Sequence, residues 1–237
     1  MFYGYAKVAG LNVKVACDFE FKDLEFPFPD EVIPDITIKI TQNDIEKYRK
    51  LTGVKTSKFT CAWMTTLGKI SDSLFNYNGL LFHAATFDVN GQGIAFSAKS
   101  GTGKTTHMLN WQKLYSDRMT IVNGDKPIIR FLNDDFSTAY AYGTPWSGKE
   151  RLWNDTCTPL KHICFIERSE TNYVTPIDKS EAVSRIMKQI YMPQDPVALA
   201  NTLSLIDKLL SCCKVWVIHC NMEEDSARVA YETIFKK

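Results

Sequence analysis

The chain has 237 residues, 45% of them hydrophobic, and its 28 basic and 27 acidic residues leave a formal net charge of +1. This length allows one large domain, or one and a half small ones, with a sizeable core. So small a net charge excludes the strong basic field that draws proteins to nucleic acids or anionic membranes. No apolar run reaches the roughly 18 residues of a membrane-spanning helix, and the first residues lack the pattern of a signal peptide.

Cysteine usage bears on the compartment. None of the seven cysteines forms a Cys-x-x-Cys pair, and the adjacent Cys212 and Cys213 are expected to be poorly placed to pair with each other. We therefore expect a reduced, cytoplasmic protein. The charge cluster at 46–50 is more typical of a solvated surface than of a nucleic-acid site, so no nucleic-acid or membrane partner is expected.

Residues 1–74 are predicted to form a β-rich N-terminal segment, because β-branched and aromatic residues dominate it and often alternate with polar ones. Prolines 27, 29 and 34 predict a loop. Strands are predicted at 2–8, 11–21, 35–40 and 55–63, and a short helix at 43–52.

Residues 75–237 are predicted to form the larger core with a C-terminal helical part. The elements expected in chain order are an apolar strand at 80–87, a strand at 93–97, a helix after 104, a strand at 119–125, a hairpin of 127–132 with 137–142, a strand at 162–166 paired with 171–177, helices at 178–193 and from 196, a strand at 214–219, and a last helix ending at 235.

The most specific motif is Ala-Lys-Ser-Gly-Thr-Gly-Lys-Thr-Thr at 98–106. Between a predicted strand and a predicted helix, it is typical of a phosphate-binding loop. Gly101 and Gly103 let successive N–H groups turn toward an anion, and the next helix directs its positive end to the same point. Lys104 adds a charge that reaches the β- and γ-phosphates, and Thr105 stands where such loops place a ligand for Mg²⁺.

This motif predicts that ATP binds with Mg²⁺. The residues expected to hold the nucleotide are Ser100, Gly101, Thr102, Gly103, Lys104, Thr105 and Thr106. The usual first glycine is replaced by Ala98, which costs little strain if its φ is negative. Lys104 is expected to be exposed before the ligand arrives.

Three further segments are candidates for the same site. Asp125 ends a predicted strand, where such folds place a carboxylate that holds Mg²⁺, although a turn aspartate beside Gly124 is the alternative. His83 lies in an apolar segment, and on that ground alone a core histidine is the more usual interpretation. Lys149, Glu150 and Arg151 follow a glycine, and they are either site residues or a solvated surface.

The motif at 100–106 resembles the kinase loop of ATP-dependent phosphoenolpyruvate carboxykinase. The wider order, a strand ending in His, a hairpin, the loop, a helix and a strand ending in Val-x-x-Asp, is similar to the HPr kinase/phosphorylase core over residues 75–190. It is also similar to small HPr-kinase-like proteins of bacteria, some of which phosphorylate serine in ribosomal peptide precursors.

The resemblance implies an α/β fold with a mixed β-sheet, a P-loop kinase core and C-terminal helices. It implies that His83 and positions 124–125 surround the γ-phosphate, with Thr105 and Asp125 holding Mg²⁺. We expect Glu150 or Arg151 to face the γ-phosphate and the acceptor. Relatives of HPr kinase are oligomers, so a homo-oligomer is expected by analogy.

One position departs from that pattern. HPr kinases use the first acid of the pair as the general base toward the acceptor serine, and here the position holds Gly124. Either another group takes the proton, or the transfer needs little base help, or the chain is not a kinase. We expect Gly124 to make room for a bulkier acceptor.

The sequence thus predicts an ATP-dependent phosphotransferase that acts on a hydroxyl, with serine of a peptide or small protein as the favoured acceptor. The alternatives are a nucleotide-binding sensor or assembly module with little transferase activity, and a small-molecule kinase.

Overall fold

The computed structural model describes residues 2–18, 32–53 and 56–236. The chain divides into two compact units, Met1–Leu74 and Phe75–Lys237. Both mix strands with helices, which confirms the predicted α/β fold class. The predicted strand at 19–21 and the loop around prolines 27 and 29 lie outside the described residues. Within the described ranges, no helix is long and apolar enough to cross a membrane.

The elements of the first unit are β1 (Phe2–Val8), β2 (Leu11–Cys17), β3 (Ile36–Ile40), α1 (Gln42–Thr52) and α2 (Lys58–Ser73). Its sheet has the order β1-β2-β3. Strands β1 and β2 pair antiparallel, whereas β3 runs parallel to β2.

The predicted strand at 55–63 is wrong, because residues from Lys58 onward belong to α2. The Ser57 side chain accepts a hydrogen bond from the N–H of Thr60 and caps the helix. The buried residues of this helix include Cys61, Leu67 and Ile70. The β-forming residues at the start of this segment are thus overridden by a 3.6-residue apolar repeat over the whole helix.

The second unit contains one large mixed sheet flanked by helices. Its strands are β4 (Gly79–Leu81), β5 (Ala85–Val89), β6 (Gln92–Ser97), β7 (Met119–Asn123), β8 (Ile128–Phe131), β9 (Ala139–Tyr142), β10 (Cys157–Arg168), β11 (Tyr173–Pro176) and β12 (Lys214–Cys220). Its helices are α3 (Lys104–Tyr115), α4 (Lys179–Ile186), α5 (Pro196–Cys212) and α6 (Asp225–Phe235), and a 3₁₀ turn covers Leu74–Tyr77.

Strand β10 is the centre of this sheet, whose order is β4-β8-β9-β10-β6-β5-β7 with β12 also on β10. The first part of β10 pairs antiparallel with β9, and its later part lies parallel to both β6 and β12. Parallel strands end at the same edge, so Ser97, Arg168 and Cys220 emerge there together. In open α/β sheets this edge is where ligands bind.

Two predicted pairings have different outcomes. The hairpin of β8 and β9 is confirmed. The pairing of 171–177 with 162–166 is wrong: β11 pairs with β12, because the edges of that part of β10 are taken by β6 and β12. Helix α4 also ends at Ile186 rather than at Pro193, since the chain then pairs with β4's continuation through a bridge between Phe82 and Ile190.

The core of this unit lies on both faces of the sheet. Alternate residues of β10 point to opposite sides, so Phe165 packs with α4 and α5 while Cys164 packs with α3 and α6. On the α3 side, Trp111 is fully buried, and its ring lies 5.3 Å from Phe87 and 5.8 Å from Phe96. This packing fixes α3 against β6 and therefore fixes the loop between them.

Candidate functional site

The loop at 98–106 turns sharply between β6 and α3. Gly101 and Gly103 have φ angles of 76° and 119°, which glycine adopts far more readily than other residues. A Cβ on Gly103 would also lie 3.0 Å from the sulfur of Met222. Ala98 is not among the described residues with positive φ, so alanine is accommodated there. The first turn of α3 leaves its N–H groups without intrahelical partners, next to the loop.

Arg168 holds this loop from the end of β10. Its guanidinium donates to the carbonyl oxygen of Gly101 at 2.7 Å and to that of Thr102 at 3.5 Å. These contacts fix two carbonyl groups of the loop, and the N–H of Thr102 donates to the carbonyl oxygen of Lys99 at 3.2 Å within the loop itself. Sequence reasoning missed Arg168, and its position at the end of a long, mostly buried strand is the local signal for it.

Lys104 begins α3 and points into a charged cluster. Its Nζ lies 3.1 Å from Nε2 of His83 and 3.4 Å from the carbonyl oxygen of Ala98. The residue is only 8% exposed, so the expectation of an exposed lysine is wrong. The reason is that its ammonium group contacts His83 and the carbonyl oxygen of Ala98 rather than solvent.

Asp125 is the acid of this cluster. Its Oδ1 lies 3.1 Å from Nε2 of His83, and its Oδ2 lies 2.9 Å from Nζ of Lys126. Burial tends to raise the pKa of Asp125, but the hydrogen bond with His83 and the charge of Lys126 bring it down to about 2. The carboxylate is therefore ionised at any physiological pH and suits a cation.

Burial has the opposite effect on Lys104. It lowers the pKa of this residue, and the charge of Asp125 opposes that shift. Lys126 adds to the lowering, while Glu150 opposes it. An incoming anion would favour the charged form of Lys104 further.

His83 Nε2 lies 3.1 Å from both Lys104 and Asp125. A ring nitrogen carries either a proton or a lone pair, so Nε2 donates to Asp125 or accepts from Lys104 but cannot do both. Nδ1 lies 3.0 Å from Oε1 of Gln189. The protonation of His83 thus decides which charged neighbour it bonds.

The backbone around His83 is held on two sides. Its N–H donates to the carbonyl oxygen of Gln189 at 2.8 Å, and the N–H of Ala84 donates to that of Asp125 at 3.0 Å. The Ser97 hydroxyl donates to the His83 carbonyl oxygen at 2.9 Å. His83 therefore lies between β4 and β5, not at the end of a strand as expected, because its backbone bonds to these segments instead.

Asn123 positions Asp125. It ends β7, is fully buried, and its Oδ1 accepts from the N–H groups of Asp125 at 2.8 Å and Lys126 at 2.7 Å. Its Nδ2 donates to the carbonyl oxygen of Thr144 at 2.8 Å. This side-chain turn is typical of asparagine. Sequence reasoning missed Asn123, although an Asn two residues before an acid was a usable signal.

Gly148 brings a second carboxylate to the cluster. Its φ is 83°, and a Cβ there would lie 3.1 Å from Cβ of Asp125 and 3.6 Å from Oε2 of Glu150. The glycine therefore lets the loop approach Asp125 closely with Glu150 beside it. Arg151 has a φ of 53° and is exposed.

Gly124 has a different role from the one expected. A Cβ at this position would lie 2.9 Å from the carbonyl oxygen of Ser147 and 3.2 Å from that of Leu152. The Gly124 N–H also donates to the Leu152 carbonyl oxygen at 2.8 Å. The expectation that Gly124 makes room for an acceptor is wrong, because the chain's own backbone fills that space.

These residues surround one cleft of about 470 Å³. Most of the predicted site residues meet there, whereas Thr102 and Arg151 are not part of its wall. The lining residues are His83, Ser100, Gly101, Gly103, Lys104, Thr105, Thr106, Gly124, Asp125, Gly148, Lys149, Glu150 and Met222. Its volume is within the range of small-molecule and cofactor sites.

The chemistry of the lining fits a metal that arrives with phosphates. Among the described residues, no group of three or more His, Cys, Asp or Glu is placed to hold a metal ion. Mg²⁺ commonly takes one or two carboxylates and completes its shell with water and phosphate oxygens. The ionised Asp125 and the hydroxyl of Thr105 both line the cleft and match that requirement.

A family model described as SynChlorMet cassette protein ScmC matches residues 55–194, which is more than half of the chain. No curated protein matches it in sequence. Among solved structures, the Hpr(Ser) kinase/phosphatase from Coxiella burnetii is similar at 9% identity and a TM-score of 0.37, with 66% of this chain and 97% of that chain covered. Such a TM-score marks a loose likeness of fold.

Proposed function

We propose that this chain, which belongs to the family of the SynChlorMet cassette protein ScmC, is an ATP-dependent kinase that transfers the γ-phosphate of MgATP to a hydroxyl group. The observation that carries the proposal is the cleft itself. It joins a glycine-turned loop at a helix N-terminus with a buried lysine, a histidine and an ionised aspartate. The favoured acceptor is a serine of a peptide or small protein.

The loop and Lys104 have the phosphate-binding role. The N–H groups at the start of α3 and the positive end of the helix favour an anion at this point. Lys104 exchanges its contact with His83 for a phosphate oxygen, which is a charged and therefore stronger partner. The glycines at 101 and 103 keep side chains away from the approaching phosphates.

Asp125 and Thr105 would hold the Mg²⁺. When bound, MgATP supplies the phosphoryl group and the cation that neutralises its charge. A pKa of about 2 makes Asp125 a weak base but a good cation ligand. His83, whose Nε2 contacts Lys104 and Asp125, would face the γ-phosphate.

We assign to Glu150 the role of the base that accepts the proton of the acceptor hydroxyl. It is the other carboxylate on the cleft wall, and Gly124 leaves no space for an acid at the neighbouring position. Phosphoryl transfer through a loose transition state needs modest base help, so one exposed carboxylate is sufficient. Arg151, outside the cleft wall, has no role in this assignment.

The proposal is tested first by nucleotide binding. Lys104→Met keeps most of the buried stem, so the fold is preserved better than with alanine, while the charge is removed. Isothermal calorimetry should detect MgATP binding to the parent chain and none to Lys104→Met. Lys113→Met is the matched control, because Lys113 lies on the same helix but pairs with Glu224 at the surface, and its affinity should equal the parent's.

Phosphoryl transfer is tested separately. A peptide encoded beside the gene of this chain is co-expressed with it, and mass spectrometry is used to find a phosphoryl mass gain on serine. A folded Lys104→Met protein with parental affinity for MgATP contradicts the site. MgATP binding without transfer to any peptide or small hydroxyl compound contradicts the kinase and supports a nucleotide-binding sensor.

A further inference from the structure

Two cysteines outside the cleft lie side by side where α5 ends. The Sγ atoms of Cys212 and Cys213 are 3.9 Å apart, and both residues are free thiols. Cys213 is buried, and its thiol donates to the carbonyl oxygen of Leu160 at 3.2 Å. Cys212 is half-buried and bonds to the carbonyl oxygen of Leu209 at 3.4 Å. The two sulfurs are thus held close together by separate hydrogen-bond partners.

The thiolate is the form of cysteine that binds metals. Both thiols would therefore give up their hydrogen bonds to the carbonyl oxygens of Leu160 and Leu209 when they bind a metal ion.

We propose that Cys212 and Cys213 form a chelating dithiol that binds one soft, thiol-preferring cation of the Zn²⁺ and Cd²⁺ class. The separation of the sulfurs carries this inference. Two metal–sulfur bonds of about 2.3 Å that span 3.9 Å enclose an angle of about 116°, close to the tetrahedral angle that Zn²⁺ adopts with thiolates. Soft cations are selected by thiolate ligands.

The remaining coordination positions are open to outside ligands. In the described part of the chain, no third His, Cys, Asp or Glu joins the pair in a metal-binding group. Cys213 lines a pocket of about 370 Å³ whose wall includes Lys179, Lys214 and Trp216. This pocket gives an outside ligand access to Cys213, and its lysines favour an anionic ligand such as a small thiolate. Each thiol that is still protonated releases its proton on binding.

The test titrates the full-length, reduced and metal-free chain with Cd²⁺, following the ultraviolet charge-transfer absorption of cadmium thiolates. We expect saturation at one ion per chain. Cys212→Ser and Cys213→Ser should each lose this absorption. Cys157→Ser is the control, because Cys157 is an exposed lone cysteine, and it should titrate as the parent does. MgATP binding should stay at the parental level in all three, which separates this site from the kinase proposal.

Absence of the absorption in the parent, or its persistence when both cysteines are serine, overturns the proposal. If a serine variant fails to fold, phenylarsine oxide is used on the parent chain. Its arsenic bonds to two thiols of one chain and releases one water, so the adduct forms only with a close dithiol. A one-to-one adduct that blocks Cd²⁺ supports the site, and failure to form it, or to block Cd²⁺, contradicts it.

Discussion

His83 and His107 lie on either side of the loop at 98–106, yet their surroundings are opposite. His83 contacts Lys104, Asp125 and Gln189, which come from three separate parts of the chain. His107 belongs to α3, and its side chain is buried. Its Nε2 accepts from the Trp111 indole at 3.3 Å and its Nδ1 lies 3.2 Å from the Ser226 hydroxyl.

The difference shows what distinguishes a site histidine from a structural one. Burial lowers the pKa of His107 to about 4, so this ring stays neutral, and its contact with Ser226 joins α3 to α6. His83 instead has charged partners of both signs on one nitrogen. Charged partners, rather than burial or distance from the loop, mark the histidine that can take part in proton or phosphate chemistry.

The largest expected effect is on the His83 side. Asp125→Asn keeps the shape of the residue but removes the negative charge that would hold Mg²⁺. The cation is the largest local charge in such a site. We expect the rate of phosphoryl transfer to fall at least about 10³-fold, or about 4 kcal/mol. Titration of the rate with Mg²⁺ should also show a weaker metal requirement.

Asp135→Asn provides the control for this change. Asp135 is a turn residue whose carboxylate accepts from the N–H of Ser137 at 2.9 Å, away from the cleft. Its variant should transfer phosphate at the parental rate. If Asp125→Asn responds to Mg²⁺ as the parent does, Asp125 is a turn residue and the metal assignment is wrong.

The second expected effect concerns stability on the His107 side. The unfolded chain protonates histidine near its ordinary pKa of 6.5, whereas folded His107 resists protonation until about pH 4. The stability due to neutral His107 is complete above pH 6.5 and is lost as the pH falls toward 4, by up to about 3 kcal/mol. His162, whose pKa burial also lowers to about 4, acts in the same direction.

Urea unfolding between pH 7.5 and pH 4 measures this effect. His107→Gln stays neutral at every pH, so its free energy of unfolding should fall less steeply over that range than that of the parent. The rate of phosphoryl transfer per folded molecule should not change at pH 7.5. Parallel pH profiles for parent and variant would show that His107 is not the group that resists protonation.

The sequence predicted the parts of the site that depend on neighbours along the chain. The loop with Gly101, Gly103 and Lys104 has a fixed spacing, and Asp125 follows a strand, so both could be located from local pattern. The binding roles of these residues remain predictions. The partners of His83 could not be found in this way, because Gln189 lies 106 positions further along the chain.

Steric contacts and contacts between distant parts of the chain could not be predicted from the sequence either. Gly124 was interpreted from the chemistry of related kinases, whereas the structure explains it by the backbone of Ser147 and Leu152. Arg168 reaches Gly101 only because β10 lies parallel to β6. Such contacts depend on which strands become neighbours, and periodicity in one strand does not determine that.

The smallest expected effect tests whether Gln189 positions His83. Gln189→Leu removes the bond to Nδ1 at 3.0 Å but keeps similar bulk, and the main-chain bond from His83 N–H to residue 189 does not need the side chain. A lost hydrogen bond costs about 1 kcal/mol, which corresponds to a fall of about fivefold in the transfer rate, with the KM for ATP unchanged. Gln189→Glu keeps an acceptor for Nδ1–H, so it should restore most of the rate that Gln189→Leu loses. Lys188→Met, a change at the neighbouring residue, should leave the rate as it is. A Gln189→Glu variant that stays as slow as Gln189→Leu would show that Gln189 does not act through His83.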